Sequence, residues 1–592
     1  MPSFIESQEL PLSPYASKVA MSKSNTSKNN VRVALSPHSS ALKIEKASDQ
    51  IDHLIELESG SVELALDETD EEKNKVVRGL KSRHIQLIAL GGAIGTGLFI
   101  GSGGALSTCG PAPLLISYMI MGFFIWCIMN MLTEVVCVMP IAGETSMYSM
   151  ARTYLNRPLS FMCGFNLFYA TAMIPPSEIT ATAMVIQFWT DANSAIFISI
   201  FVVITISLSM LPVQFFGESE FWVSIIKILC ITGLIIVGIV IFFGGAPDQH
   251  GVLGFHYWKH PGAFNPYLVP GNTGKFLACW TAIIKSGFSY VLVPEVVVSC
   301  SAESVNPRRN MPRVAQRFVY RLFLFYVCGT LVIGVIIGYD NPRLLNALAK
   351  GESSGAASPF VLGIQNVGIK VLPHIINACI LTSAYSCGTS MLYGASRALH
   401  SMALRGDMPK LFAKTNRFGT PYISVAISSL FCFLSYLNCS DSSSVVFTWL
   451  SNIATISGFV DWALVCLVYL RFRNVCDYAD LNDRVPFRKR FMRPMAYFTC
   501  GFFVVLSLTN GYAVFIKGNW SVKNFFACYT TIGLVAVLYL GSSIYHKTWK
   551  YRPMDDIVEE IIPKIDLADE EERNEIPIVP KNLAEKIWYF II

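Results

Sequence analysis

The sequence predicts an all-α polytopic membrane protein of twelve transmembrane helices, the first and sixth of them broken near mid-membrane. Three observations predict it. Hydrophobic residues make up 53% of the 592 positions and charged residues only 15%, at a mean hydropathy of +0.47, which is far from a soluble composition. The apolar residues gather into segments that each approach the roughly 20 residues a helix needs to cross a bilayer. Two of those segments, the first and the sixth, read as interrupted at their middles, one by clustered glycines and the other by a proline.

The segments lie at about 85–106, 113–139, 162–189, 195–213, 221–244, 276–301, 318–339, 372–402, 421–438, 444–470, 494–515 and 524–545. Three regions follow: a tail at 1–84, a twelve-helix body at 85–545 and a second tail at 546–592. The first tail is rich in Ser, Asn and Lys with an acidic run from Asp67 to Glu72, too poor in apolar residues to pack a core, and reads as disordered. No cleavable signal opens it, so the first span itself directs insertion. Lys73, Lys75, Arg78, Lys81 and Arg83 precede that span, and basic residues at a membrane boundary favour the cytoplasmic side. Alternate loops carry Arg152 and Arg157, then Arg308, Arg309, Arg313 and Arg317, then Arg405, Lys410, Lys414 and Arg417, then a basic run from Arg484 to Arg493. Both termini are therefore expected in the cytoplasm. The loop expected from Val213 to Glu220 carries Glu218 and Glu220 without a base and has no charge argument. The second tail mixes Asp569 to Glu572 with an apolar end, Trp588 to Ile592, and reads either as a solvated tail or as an interaction or turnover segment.

The first segment contains Gly91, Gly92, Gly95, Gly97 and Gly101. Each glycine weakens a helix by about 1 kcal/mol relative to Ala. A break there frees backbone groups that lipid cannot satisfy, so such backbone must face protein or a water-filled cavity. The N–H groups near Thr96 and Gly97 would suit a carboxylate at the start of a second half-helix. Carbonyls near Gly92 and Ala93 would suit an ammonium group, so one break can hold both ends of an amino acid. The competing account is close helix packing by small residues. In the sixth segment, Pro294 follows Phe288-Ser289-Tyr290 and precedes Glu295, and removes a backbone hydrogen bond at mid-helix. The first and sixth spans are corresponding members of two five-helix halves, where paired interruptions mark a central site; a simple proline kink is the alternative.

Ionisable side chains inside spans are costly and are functional candidates by default. They are Glu134, Glu178, Lys227, Lys285, Glu295 and Asp461. Glu178, after Pro175-Pro176, suits proton transfer or the substrate amine, or a structural hydrogen bond. Lys227 suits a cation site, or snorkels to the inner interface. Asp461 either lines the pathway or pairs with a neighbour. Sixteen cysteines sit mostly singly in apolar runs and read as small core residues; pairing of Cys109 with Cys439 is not readable. No HExxH, GxSxG or GxxxxGKS motif points to an enzyme, and no filter repeat or basic sensor helix points to a channel. No catalytic group, metal, cofactor or nucleic-acid partner is expected.

Ser82 to Leu98, Gly217 to Trp222, Leu253 to Phe264 and Asn306 to Asn310 resemble the fungal amino-acid permeases of the amino acid, polyamine and organocation superfamily, over about residues 75–545. Ser358 to Asn366 and Ile369 to Asn377 resemble its proline-transporting branch, while Pro175-Pro176 and Phe288 to Tyr290 resemble its dicarboxylic branch. The resemblance implies the five-plus-five inverted-repeat (LeuT-like) fold, a plasma-membrane location and amino-acid uptake driven by symported protons. It puts Gly95, Thr96 and Gly97 on the substrate-binding break and Glu295 on the acidic position after the second break. Lys227 falls on the lysine that occupies a sodium site in related carriers. Phe288, Ser289 and Tyr290 shape the side-chain pocket, and Glu178, Lys227 and Glu295 are the proton-coupling candidates. Two positions depart from the pattern: Val293 replaces a common glycine and Asp461 a common small residue. The expected cargo is proline or other neutral amino acids, with a broad or acidic specificity as the alternative. A receptor that signals through its tails is the rival of another class. The tails are candidate contacts for ubiquitin-ligase and trafficking factors.

Overall fold

The computed structural model describes residues 95–138, 146–211, 213–291, 293–295, 298, 307–349, 358–416, 419–439 and 443–574. The N-terminal tail, Gly92 and Ala93, and the apolar end Trp588 to Ile592 lie outside the described residues. Residues 76–475 with 484–592 form one compact unit, and 476–483 belong to a second. In the second, Asn482 Nδ2 donates to Asp477 Oδ1 at 3.0 Å.

Among its described residues the main unit is built of helices joined by turns and irregular loops, with no strand. A wide π-turn at Gly97–Gly101 leads into α1 (Ser102–Cys109), followed by α2 (Pro111–Val138), α3 (Met147–Tyr154), α4 (Arg157–Ile186), α5 (Ser194–Met210), α6 (Val213–Phe242) and α7 (Gly271–Tyr290). Then come α8 (Pro307–Ile336), α9 (Pro342–Ala349), α10 (Pro359–Asn366), α11 (Leu372–Leu404), α12 (Tyr422–Leu430), α13 (Ser443–Tyr478), α14 (Met492–Thr509), α15 (Val522–His546) and α16 (Met554–Asn574). Nine spans among the described residues are long and apolar enough to cross a membrane, and α5 is a shorter apolar helix. The chain is an all-helical membrane protein.

Local sequence sets the helix starts. Asn156 caps α4 by accepting from the Leu159 amide at 2.9 Å, with Pro158 in the first turn. Gly110 ends α1 at φ +88°, where a Cβ would meet the Asn265 backbone nitrogen at 2.9 Å, so only glycine suits the turn. Burial sorts the bundle into an inner and an outer set. The apolar windows of α13 and α11 are 78% and 67% buried, whereas those of α6 and α15 are 28% and 17% buried and turn side chains such as Leu229, Ile236 and Val537 outward. Apolar faces left uncovered on that scale suit lipid rather than water. α4 packs extensively along α11, and α2 along α7 and α8, so these helices build the centre.

Two stretches differ from expectation. Val213 to Glu220 is the first part of α6 rather than a loop, and Glu220 is buried there. Its carboxylate lies two turns from Lys227 on the same helix face, which explains how an acid enters the bundle.

The C-terminal segment is also folded. α16 buries Ile557, Ile561 and Ile565, spaced one turn apart, with Val558 beside them. Ahead of it, the Arg552 amide donates to the Leu155 carbonyl at 3.0 Å, and Asn156 Nδ2 donates to the Lys550 carbonyl at 3.3 Å. Arg308, at the start of α8, donates to the Val138 carbonyl at 3.0 Å and pairs with Asp569 and with Glu572, the latter at 3.4 Å. Arg484 pairs with the same Asp569 and with Asp566 at 2.6 Å. Burial opposes ionisation of Asp569, but the hydrogen bonds from Arg308 and Arg484 outweigh it and hold the carboxyl below its ordinary value. Nearby, the side chain of Asp407, just past the end of α11, is buried, takes the Tyr148 hydroxyl at 2.7 Å, and pairs with Arg152 at 3.2 Å and Arg157 at 3.0 Å.

Candidate functional site

The site grows from two departures from regular helix. α7 ends at Tyr290; Val291 turns out of the helix at φ −54° and ψ 130°, and helical backbone resumes at 293–295. Pro294 has no N–H for the Tyr290 carbonyl four residues before it, so the helix loses a bond at this point. The Ser289 carbonyl beside the break accepts the Tyr326 hydroxyl at 2.7 Å instead of continuing the ladder. In the first span, Gly95 lies in a bend and Thr96 leads into the π-turn.

These irregular stretches meet. A Cβ on Gly97 would stand 2.6 Å from Ser289 Oγ and 2.8 Å from Ser289 Cα, so the two backbones approach as closely as glycine allows. Tyr118, from α2, spans the junction: its hydroxyl shares a 2.7 Å hydrogen bond with Ser289 Oγ and makes a long 3.5 Å contact to the Gly97 carbonyl. A pocket opens beside the junction, lined by Gly95, Gly97, Phe288, Ser289 and Val291 from the two irregular stretches. Ile174 and Glu178 of α4 and Cys387 and Met391 of α11 complete it.

Glu178 is buried among these residues. Thr96 donates its hydroxyl to Glu178 Oε1 at 3.0 Å, while Oε2 has no hydrogen-bond partner among the described residues. Lys227 is buried and interacts electrostatically with Glu220, Cys387 and Glu178, so it does not snorkel outward. Ser386 in turn donates to Glu220 Oε2 at 2.7 Å. A polar chain thus runs from the first-span bend through α4 and α6 to α11, with Lys227 between two carboxylates.

The remaining predicted residues part company. Tyr290 turns away from the pocket: it is fully buried, donates to the Tyr118 carbonyl at 2.9 Å, and packs edge-on against Tyr326 at 4.7 Å. Glu295 lies past the break with both oxygens unpartnered among the described residues, near Asp461 and Trp462 of α13 rather than near Glu178. Glu134 is structural, held by Arg473 at 3.0 Å and the Tyr469 hydroxyl at 3.0 Å. Lys285 donates to the Gly104 carbonyl at 3.1 Å and Thr108 Oγ1 at 2.9 Å, capping the end of α1. Cys109 and Cys439 are both free thiols. Tyr118 and Glu220 were not singled out by the sequence. A tyrosine in an apolar run looks like core, and Glu220 is recognisable only once its helix is seen to begin at Val213.

The model of the amino acid permease family matches residues 84–553. The chain belongs to that family. It is 43% identical over 522 residues to the proline-specific permease of Emericella nidulans, covering 88% of this chain and 94% of that protein. It is 46% identical over 494 residues to the proline-specific permease of Saccharomyces cerevisiae, covering 82% and 79%. The dicarboxylic amino acid permease of Saccharomyces cerevisiae is 37% identical over 491 residues, covering 82% and 80%. This permease is therefore a membrane transporter and not an enzyme, and amino acids are its substrate class.

Proposed function

We propose that this permease is a proton-coupled symporter that takes up proline and related neutral amino acids across the plasma membrane, with both termini cytoplasmic. The observation that carries the reading is the meeting of the first-span bend and the sixth-span break at Gly97 and Ser289, beside a pocket that contains Glu178. In this reading twelve spans form two inverted five-helix halves plus two further helices, and the bundle rocks around the pocket between outward- and inward-open states. Amides of the first-span bend hold the substrate carboxylate. Carbonyls freed at the two breaks, with Glu178, hold the ammonium. Phe288 and Val291 close over an apolar side chain.

The pocket chemistry favours a neutral cargo. Glu178 is its carboxylate, and an acidic side chain would be placed against a like charge. The relatives named above are proline-specific at 43% and 46% identity, which supports the same choice. Glu178 and Lys227 are the coupling groups nearest the cargo, since a proton on Glu178 alters how strongly it holds both Thr96 and the ammonium.

Competition of labelled proline uptake by other amino acids, in cells expressing this chain at several external pH values, tests the reading. Uptake that rises as external pH falls and is displaced by neutral amino acids is expected. Uptake indifferent to pH, or displaced by aspartate as well as by proline, contradicts it.

A further inference from the structure

A second polar cluster lies in the bundle where α4, the stretch past the sixth-span break, and α13 come together. Close contacts fix the register. A Cβ on Gly287 would meet the Phe459 ring at 2.4 Å, and one on Gly458 would meet Val291 Cγ2 at 3.0 Å, so these helices touch through glycine just before the break. One turn further on, each contributes a carboxylate: Glu295 from one and Asp461 from the other. Asn166 of α4 ties in from the third side, its Nδ2 donating to the Ser457 carbonyl at 2.9 Å.

The hydrogen-bond inventory of this cluster is lopsided. Both oxygens of Glu295, both of Asp461 and Oδ1 of Asn166 are buried without partners among the described residues, as is Nε1 of Trp462. Asp461, Asn166 and Trp462 are wholly enclosed, and Glu295 is 5% exposed. The Trp462 indole faces Glu295 and the Asn166 amide faces Asp461, neither with the geometry of a formed hydrogen bond. Among the described residues, five acceptor oxygens therefore look onto only the Trp462 indole N–H and the second amide proton of Asn166. Two carboxylates close together in apolar surroundings do not both stay ionised without a compensating cation or proton. No arginine or lysine among the described residues pairs with either, and Cys163 of α4 is the other titratable group that interacts with both. The α14 side contributes the Phe503 ring, 4.9 Å from Trp462. Among the described residues the cluster is short of donors, and the smallest ligand that supplies one is a proton.

We propose that Glu295 and Asp461 form a proton-binding pair, separate from Glu178 and Lys227, in which one carries the proton as O–H and the other accepts from it. The pair rests on the proton-coupled reading given above. The proton enters from outside water onto one carboxyl and is held against the other during occlusion. It leaves to cytoplasmic water when the segment past Val291 moves, and two carboxylates remain in the hydrated open state. Because Glu295 follows the break that borders the substrate pocket, loading of the pair and closure over the cargo are mechanically linked.

Full-length protein reconstituted in proteoliposomes, with labelled proline outside and the outside made acidic so that protons run inward, tests this. A gradient of about two pH units sustains up to roughly a hundredfold accumulation for one proton per substrate, tenfold per unit. Wild type is expected to accumulate proline, and Asp461→Asn with Glu295→Gln together to reach only equilibration, while gradient-free exchange of labelled for unlabelled proline shows that the double variant is folded. Each single variant is expected to shift half-maximal uptake acidward by about one pH unit, a tenfold loss of proton affinity, and Asp461→Glu to restore it. Should the double variant not exchange, the single variants decide: wild-type pH dependence in both overturns the pair. Coupled accumulation in the double variant, or replacement of the acid gradient by sodium in wild type, also overturns it. A wild type that accumulates proline without any pH gradient overturns the proton-coupled reading and the pair together.

Discussion

The hydroxyl of Thr96 lies 3.0 Å from Oε1 of Glu178 and ties the irregular start of the first span to a carboxylate on α4. This bond puts the orientation of the pocket carboxylate under the control of the backbone expected to bind substrate. Thr96→Val removes the donor while keeping the shape. A hydrogen bond to a charged group contributes roughly 1.5–3 kcal/mol, so proline uptake is expected to fall by about tenfold or more with surface expression intact. Thr96→Ser keeps the donor and is expected to retain most of the activity.

Gly97 faces Ser289 with no room for a methyl group, and the nearest atoms include backbone. Gly97→Ala must therefore push the two interrupted helices apart. Overpacking of this kind costs about 1–3 kcal/mol, and the variant is expected to melt earlier and to lose transport. Gly104 has open space beside its Cβ position. Gly104→Ala is accordingly expected to melt like wild type or slightly later, and thermal unfolding of the purified variants in detergent distinguishes the two.

The pair between Glu134 and Arg473 is almost completely buried and anchors α2 to α13. Arg473→Leu leaves the carboxylate without its cation, which is expected to cost about 3–5 kcal/mol. Tyr469→Phe, which removes one neutral donor, costs nearer 1 kcal/mol. Arg473→Leu combined with Glu134→Leu is expected to recover much of the loss, because neither charge is then stranded. Denaturation of wild type, Arg473→Leu, Glu134→Leu and the double variant as a double-mutant cycle measures the coupling.

Docking of α16 depends on pH through Asp569, whose carboxyl is held below its ordinary value by Arg308 and Arg484 against the opposing effect of burial. A depressed carboxyl contributes stability that is present above its unfolded value, about 3.9, and is lost as pH falls through the lower folded value. Protection of α16 amides from hydrogen exchange is therefore expected to be constant above about pH 5 and to drop as Asp569 is protonated. Asp569→Asn is expected to show the weakened protection already at neutral pH.

The helical, membrane-spanning architecture was legible because lipid imposes length and apolarity on each span, and among the described residues nine helices are long and apolar enough to cross, with Ser194–Met210 a shorter apolar helix. The first-span glycines and Pro294 announced irregular backbone because their effect is local. The break itself appears at Val291 rather than at the proline, since a proline disturbs the preceding turn. Side-chain direction was less legible. Phe288, Ser289 and Tyr290 are consecutive, yet only the first two line the pocket, and Tyr290 joins Tyr118 and Tyr326, a choice made by α2 and α8. Glu220 and the buried face of α16 were hidden for another reason: acidic residues around an amphipathic pattern read as solvated until a partner arginine or lysine is in place.

Equilibrium binding of labelled proline to the purified full-length permease, compared between wild type and Thr96→Trp, tests most directly whether the opened first and sixth spans grip the cargo. Saturable binding by wild type is expected, with an indole at position 96 weakening it at least about tenfold, or 1.4 kcal/mol, in protein that still unfolds cooperatively. Equal binding by the two proteins would contradict a site at this junction.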